Sequence, residues 1–548
     1  MADPGHARLL RGGRKDFLAT AAFLAIGLGA AHHPILLSGF RETQGNLGDA
    51  RYLNYLLEHT YRWAARSPAH DRLWDPPIFH PALNTFAYSE TLLGAAPIYW
   101  LFRAVTFRPD SAFQLWLLAV SCLNFLGARL LLKRGLRFDV LPSCFGAFLY
   151  AFASARIAHV GHPQLLPAFY PPLAILALCR ILEPAAASRP RRERLAWVGL
   201  LAGALVAQAY TCVYTAWFHL LGLAIGGVVA LLIPACRRAI LLAFRLHALE
   251  LGAGIALAIL ALLPLGSHYL RAGAEVGYRD YSSILPLMPR LSSWVHPGPG
   301  NWLYGWMSRV PPFRDLPTPY EQALGFGLLT TAAAVAGLFL RRASPGYRVL
   351  GLSALATILL ATLWPGGVSL WRIVFAVVPG ADALRAVARV GNVLLLPVAI
   401  GAAAFVQSVP WNRWKVGLTV VVCLLEQGVT TETYDKERAR ADVAEIVKSV
   451  DRRASAFFYS VIQPGVPDWA ESVPIKYHVD AIWAQLDLGI PTINGYSGHA
   501  PPGWAFKTGI VARTPGEHER LALRLQEWLS RNGLDPARVA WVTADLRR

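Results

Sequence analysis

The sequence predicts a mainly α-helical, polytopic membrane protein of about eleven spans, carrying a small extracytoplasmic α/β domain at its C-terminus. Three observations predict it. Of 548 residues, 55% are hydrophobic and only 16% charged, where soluble chains carry about 25% charged residues. Apolar runs long enough to cross a bilayer, about 20 residues, recur as far as residue 431. Beyond residue 432 charges become frequent and the apolar runs shorten.

The first apolar run, 17–36, follows Arg8, Arg11, Arg14 and Lys15. No small-x-small cleavage site precedes Gln44 in a convincing context, so the run reads as an uncleaved first span and not as a signal peptide. Further spans are expected at 111–132, 139–158, 165–182, 196–212, 214–234, 246–265, 322–340, 347–364, 390–407 and 415–431. The intervening loops test this list. Lys133–Arg137, Arg189–Arg194, Arg237–Arg245, Arg341–Arg348 and Arg413–Lys415 are basic, and all fall on the side of the N-terminus. Cytoplasmic loops collect Lys and Arg. The N-terminus is therefore placed inside and the C-terminus outside. The net charge of +18 is then a topology signal, and no nucleic-acid partner is expected. Residues 91–107 are also apolar, but a crossing there would invert every later loop. They are expected to lie along the interface or re-enter. The long outer segments are 39–110, 266–320 and the tail from about 433; a shorter one is 364–389. This gives a membrane domain, 1–432, and a soluble domain, 433–548. In the latter, ARADVAEIVKSVDRR and EHERLALRLQEWLSRNGL have helical spacing, and SAFFYSVI and VAWVTADL read as strands.

The six cysteines lie within or beside apolar runs without CxxC or Cys/His spacing, which predicts neither disulfides nor zinc. No P-loop, nucleophile elbow or HExxH pair occurs, against an ATP-driven pump or a metalloprotease of those types. Polar residues at the outer ends of spans remain. Asp49 follows Gly48 at the start of ARYLNYLLEHTYRW, where a helix dipole favours a carboxylate; an N-cap is the alternative. The same loop holds Asp75, His80, Asn84 and Glu90 around WDPPIFHP, and rings with carboxylates suit sugar faces. His159, His162 and Gln164 share RIAHVGHPQLLP. Two histidines three apart bind phosphate or metal, or hydrogen-bond at a turn; a third metal ligand would come from elsewhere. ALRAVARVGN puts Arg385 and Arg389 four apart on one helical face, where two guanidinium groups hold a lipid phosphate or snorkel. Glu321 in TPYEQALGFG is a second acid facing the site or a first-turn acid. Asn494–Gly498, NGYSG, is a glycine turn that displays Tyr496 and His499, or a loop packed on the membrane domain.

The order of these stretches resembles the GT-C superfamily of membrane glycosyltransferases, particularly the bacterial YfhO-like branch. NLGDARYLNYL, HPALN leading to SETLLGAAPIYWLFR, LNFLGARLLLKRGLRF, AFASARIAHVGHPQLLPAFYPPL, EQALGFGLL, LRAVARVGN and NGYSG carry the resemblance across nearly the whole chain. It implies transfer of a sugar from a polyprenyl-phosphate donor to a glycan, lipid or protein acceptor on the outer face of a bacterial inner membrane. It further implies Asp49 as base and Arg385 and Arg389 as cations for the carrier phosphate. The family often pairs two acids in the first outer loop; here Asp75 or Glu90 is left for the second, and a divalent cation, Mg or Mn, stays open. A transporter or flippase of lipid-linked intermediates is the competing reading, and a non-catalytic relative is the third.

Overall fold

Helices occupy every stretch expected to span. The computed structural model describes residues 4–183, 186, 188–339, 344–408, 412–467 and 472–546. The basic segment Arg341–Arg348 lies partly outside the described residues, as do the side chains of Arg8, Arg11 and Arg413. Among the described residues, six helices are long and apolar enough to cross a membrane: Pro109–Gly135, Val140–Ile157, Pro163–Leu182, Val213–Leu232, Pro234–Val276 and Val387–Ser408. A bent pair, Pro345–Ala361 with Pro365–Val377 at 84°, would be a seventh. Leu328–Phe339 and Trp414–Leu425 are apolar but shorter. Pro4–Ala31 and Arg191–Thr211 are helical too, with charged residues toward their starts. Against the expected number of about eleven, six helices, or seven with the bent pair, are long and apolar enough to cross among the described residues.

Two of the basic segments, at Lys133–Arg137 and around Arg189, are tied into ion pairs that join three helices. Asp16, in the first helix, pairs with Arg129 and with Lys133 at 2.6 Å. Arg180 donates to the Arg134 carbonyl at 2.7 Å and pairs with Glu183 at 3.1 Å. β1 (Glu42–Gln44), just after the first helix, pairs antiparallel with β2 (Thr433–Asp435), just after the last membrane helix, with Thr43 opposite Tyr434. First and last membrane helices therefore deliver the chain to the same end.

The segment 266–320 was expected to be loop from its start. Instead the helix Pro234–Val276 runs 43 residues, about 65 Å at 1.5 Å per residue, twice the roughly 30 Å of a hydrocarbon core. It stops at Gly277, whose φ of 79° few other residues adopt. The projecting turns support the first outer loop. Trp74 stacks on His268 at 3.8 Å. Asn84 donates to the His268 carbonyl, and Tyr269 to the Ser89 carbonyl. Residues 91–107 yield only the helix Ala96–Thr106, 11 residues, about 16 Å long and too short to cross.

In the C-terminal segment from residue 433, β3 (Ala456–Ile462) lies between β4 (Val511–Ala512) and β5 (Val539–Asp545), parallel to both. Its helices are Lys436–Ser449, Ser472–Leu488 and Pro515–Arg531. The helix Asp49–Ala64 packs on Ser472–Leu488. Arg51 pairs with Asp480 at 2.5 Å, both at most 3% exposed. Tyr55 donates to Gln485, and Trp483 to the Arg51 carbonyl. Removing one partner of a buried pair strands the other charge. Arg51→Ala is therefore expected to cost about 3–5 kcal/mol and to expose the 433–548 domain to protease, checked by thermal unfolding and limited proteolysis in detergent.

Candidate active site

The carboxylate of Asp49 is not used for capping, because Asn46 caps its helix. The Asn46 side chain accepts from the N–H groups of Gly48 and Ala50 at 3.1 and 3.3 Å. Asp49 is the first helical residue and its side chain makes no cap bond, so the N-cap reading fails. Gly48 is needed here: a Cβ on it would stand 2.7 Å from the Ile475 side chain of the C-terminal segment.

Asp49 turns toward His162. The His162 Nδ1 lies 2.7 Å from Asp49 Oδ2, and its Nε2 lies 3.1 Å from Glu321 Oε1. The Nδ1 contact is a charge pair made off the N–H axis, with no aligned hydrogen bond. Arg389 closes the far side, donating from Nη2 and Nε to the two Glu321 oxygens at 2.8 and 3.3 Å. Its guanidinium sits over the Tyr214 ring at 5.1 Å. His159, nearly buried, stands 3.9 Å from Glu321. Local structure aims each group. Pro163 begins the short 3-10 helix that follows His162. Gln322, fully buried, donates to the Pro286 and Met288 carbonyls and accepts from Ser293, which fixes Glu321 facing inward.

The charges alternate: carboxylate, imidazolium, carboxylate, guanidinium. Burial works against the His162 cation and Arg389 repels it, but the two carboxylates prevail and hold it protonated to about pH 9. Burial pushes Asp49 up, yet the His162 and Tyr496 contacts keep it below its ordinary value. Glu321, opposed by burial but flanked by Arg389 and His162, lies further below.

The C-terminal segment reaches the same carboxylate. Tyr496 donates its hydroxyl to Asp49 Oδ1 and packs edge-on to Tyr52. Its loop is seated by Gly495, whose Cβ would fall 2.2 Å from the Phe79 ring, and by Gly498, 3.0 Å from the Tyr88 carbonyl. The Asn494 side chain bridges the Tyr459 N–H and carbonyl of β3.

Of the residues singled out in the sequence, Asp49, His159, His162, Glu321, Arg389 and Tyr496 come together. Arg385 does not share a helical face with Arg389. Leu384 and Ala386 are non-helical, with ψ of 120° and 87°, so Arg385 turns outward and is exposed while remaining within electrostatic reach of Tyr496. Glu90 accepts from the N–H groups of Val213 and Tyr214 at 2.5 and 3.1 Å; it caps a helix. Asp75 accepts from the Asn84 N–H, and His80 bonds through its backbone to Thr492 and Trp528; both hold the loop. Gln164 is buried in the turn Pro163–Leu165, its Oε1 unpartnered. Two residues escaped the sequence reading. Tyr214 accepts from the Arg385 N–H at 2.6 Å, and Arg279 meets His499 at 3.3 Å beside Arg385. The only signal for Arg279 was the glycine that ends the long helix. Among the described residues no group of three His, Cys, Asp or Glu side chains is arranged to hold a metal. The His162 ring stands between Asp49 and Glu321, so these residues do not fit the divalent cation left open by the sequence.

No protein-family model matches the chain, and no curated protein matches it. Solved structures similar to it include the arabinofuranosyltransferase AftD from Mycobacteria, at 16% identity and a TM-score of 0.48, covering 83% of this chain and 30% of that one. Another is the Archaeoglobus fulgidus oligosaccharyltransferase in its apo form, at 12% identity and a TM-score of 0.49, covering 88% of this chain and 64% of that one. The chain thus spans under a third of AftD and under two thirds of the oligosaccharyltransferase.

The pH dependence follows from the signs. His162 is raised above the ordinary histidine value of about 6.5, so its contribution to stability is complete below about pH 6.5 and lost as pH rises through about 9. Asp49 and Glu321 are depressed and contribute above their ordinary range, losing it in acid. The unfolding temperature of wild type minus that of His162→Gln, measured in detergent, is expected to stay constant to about pH 6.5 and to shrink toward zero above pH 9.

Proposed function

We propose that the chain is an integral membrane glycosyltransferase of GT-C type, moving a sugar from a polyprenyl-phosphate carrier to an acceptor on the outer face of the cytoplasmic membrane. The observation that carries this reading is one cluster. A base candidate at the start of the helix Asp49–Ala64 is held ionised by His162; its partner Tyr496 lies within electrostatic reach of Arg385, which stands near Arg279, and neither of these two cations has a carboxylate partner among the described residues.

The chemistry needs both halves. The acceptor oxygen attacks the anomeric carbon as its proton passes to Asp49. The bond from that carbon to the carrier phosphate breaks, and the phosphate leaves with the electron pair. The developing charge needs fixed cations. Arg389 is bound to Glu321 and serves the base; Arg385 and Arg279 receive the phosphate. The helix that begins at Asp49 adds its positive end to the same pocket.

The test is reconstitution in liposomes with synthetic polyprenyl-phosphate pentoses and hexoses, using alkyl glycosides as acceptors and release of the carrier phosphate as readout. Loss of a general base costs about 10²–10⁴ in rate, so Asp49→Asn is expected to fall by that much with the protein still folded. An unchanged rate would remove Asp49 from the mechanism. In the same assay Arg385→Ala and Arg279→Ala are each expected to raise the donor KM about tenfold or more, the worth of a charged hydrogen bond.

A further inference from the structure

We infer that Tyr496 is a specificity-determining residue that keeps water from the working oxygen of Asp49 until an acceptor hydroxyl displaces it, so that the donor is transferred and not hydrolysed. This rests on the glycosyltransferase reading above.

The geometry leaves one oxygen for the work. Asp49 Oδ2 faces His162, whose two ring nitrogens both face carboxylates; a neutral ring would turn a lone pair against one of them. The proton from an acceptor must therefore arrive at Oδ1. A hydroxyl already donates to Oδ1, that of Tyr496. It makes the bond that an acceptor hydroxyl must make, and so marks the acceptor position.

That position needs guarding. The Asp49 side chain is 27% exposed. Water at Oδ1 would give up a proton as its oxygen joined the anomeric carbon and the carbon–phosphate-oxygen bond broke, yielding free sugar and carrier phosphate. The acid–base groups treat water and a sugar hydroxyl alike; occupancy of the site discriminates. Water replacing the phenol exchanges one hydrogen bond for another and leaves the phenol unpaired. An acceptor brings further contacts that offset the exchange.

The loop is built for a side-chain movement alone. Gly495 is pressed on Phe79, and Gly498 on the Tyr88 carbonyl. Asn494 is tied to β3. The backbone is fixed, while the Tyr496 ring is only partly buried.

Tyr496→Phe keeps the ring and removes the hydroxyl. In the liposome assay with the same donors and no acceptor, the variant is expected to release free sugar about tenfold or more faster than wild type, the worth of one hydrogen bond to a charged group. Asp49→Asn in the same background is expected to abolish the release. With alkyl glycosides present, the ratio of hydrolysis to transfer should rise by a similar factor. Wild-type hydrolysis rates in a variant that still transfers would overturn the guard and leave the glycosyltransferase reading standing. Loss of both transfer and hydrolysis in a variant with wild-type unfolding temperature would make Tyr496 a support for Asp49, which also overturns it. Failure of wild type and variant alike to cleave any donor would sink both readings.

Discussion

Two carboxylates cannot stay ionised in one desolvated pocket unless cations stand with them. Asp49 and Glu321 meet this requirement through His162, which touches both, and Arg389, which grips Glu321 with two donors. Four formal charges sum to zero, so the cluster is half-buried without a net ion. Much of the outer architecture follows. The chain must bring the first outer loop, the turn at 158–165 and the start of the helix Gly391–Ser408 to one point. It does so by breaking helices at each of those places.

Broken helices expose N–H groups, and in apolar surroundings these must find partners. Two remote acids answer. Glu426, fully buried, accepts from the Leu329 and Thr330 N–H groups at 2.8 Å and from the Thr330 and Tyr304 hydroxyls. Glu90 serves Val213 and Tyr214 in the same way. The second cap stands one step behind the site. It holds the turn that carries Tyr214, whose ring lies under Arg389 and whose hydroxyl receives the Arg385 N–H. Glu90, read from the sequence as a candidate for sugar contact, thus supports both arginines.

Hydropathy made the helices legible but not their ends. An apolar run shows where lipid is tolerated, and says nothing of a helix continuing past the bilayer, as Pro234–Val276 does. Asp49 was legible as an acid at a helix start; that Asn46 would take the capping was not, since Asn and Asp are equally good caps. The spacing of Arg385 and Arg389 suggested a shared face only while a helix was assumed, and extended backbone between them sends them apart. The helix Ser472–Leu488 escaped because it is buried against the outer loop on one side and the sheet on the other. Its apolar residues therefore keep no single-face period. The meeting of Asp49 with Tyr496, 447 residues apart, leaves no local trace beyond the paired glycines.

The C-terminal segment from residue 433 forms one wall of the site. It holds the Asp49 helix through Asp480, Trp483 and Gln485, and extends β1 with β2. The two walls contribute different chemistry. From the preceding part of the chain come His162, Glu321 and Arg389, whose charges surround the base. From the C-terminal segment, what touches the base is a neutral hydroxyl. Separating a buried ion pair costs several kcal/mol per ion, whereas a buried hydroxyl losing its partner costs about 1–3 kcal/mol. A neutral hydroxyl is therefore the cheaper group to displace at each turnover, and the charged groups, tied to one another as ion pairs, are the costlier ones.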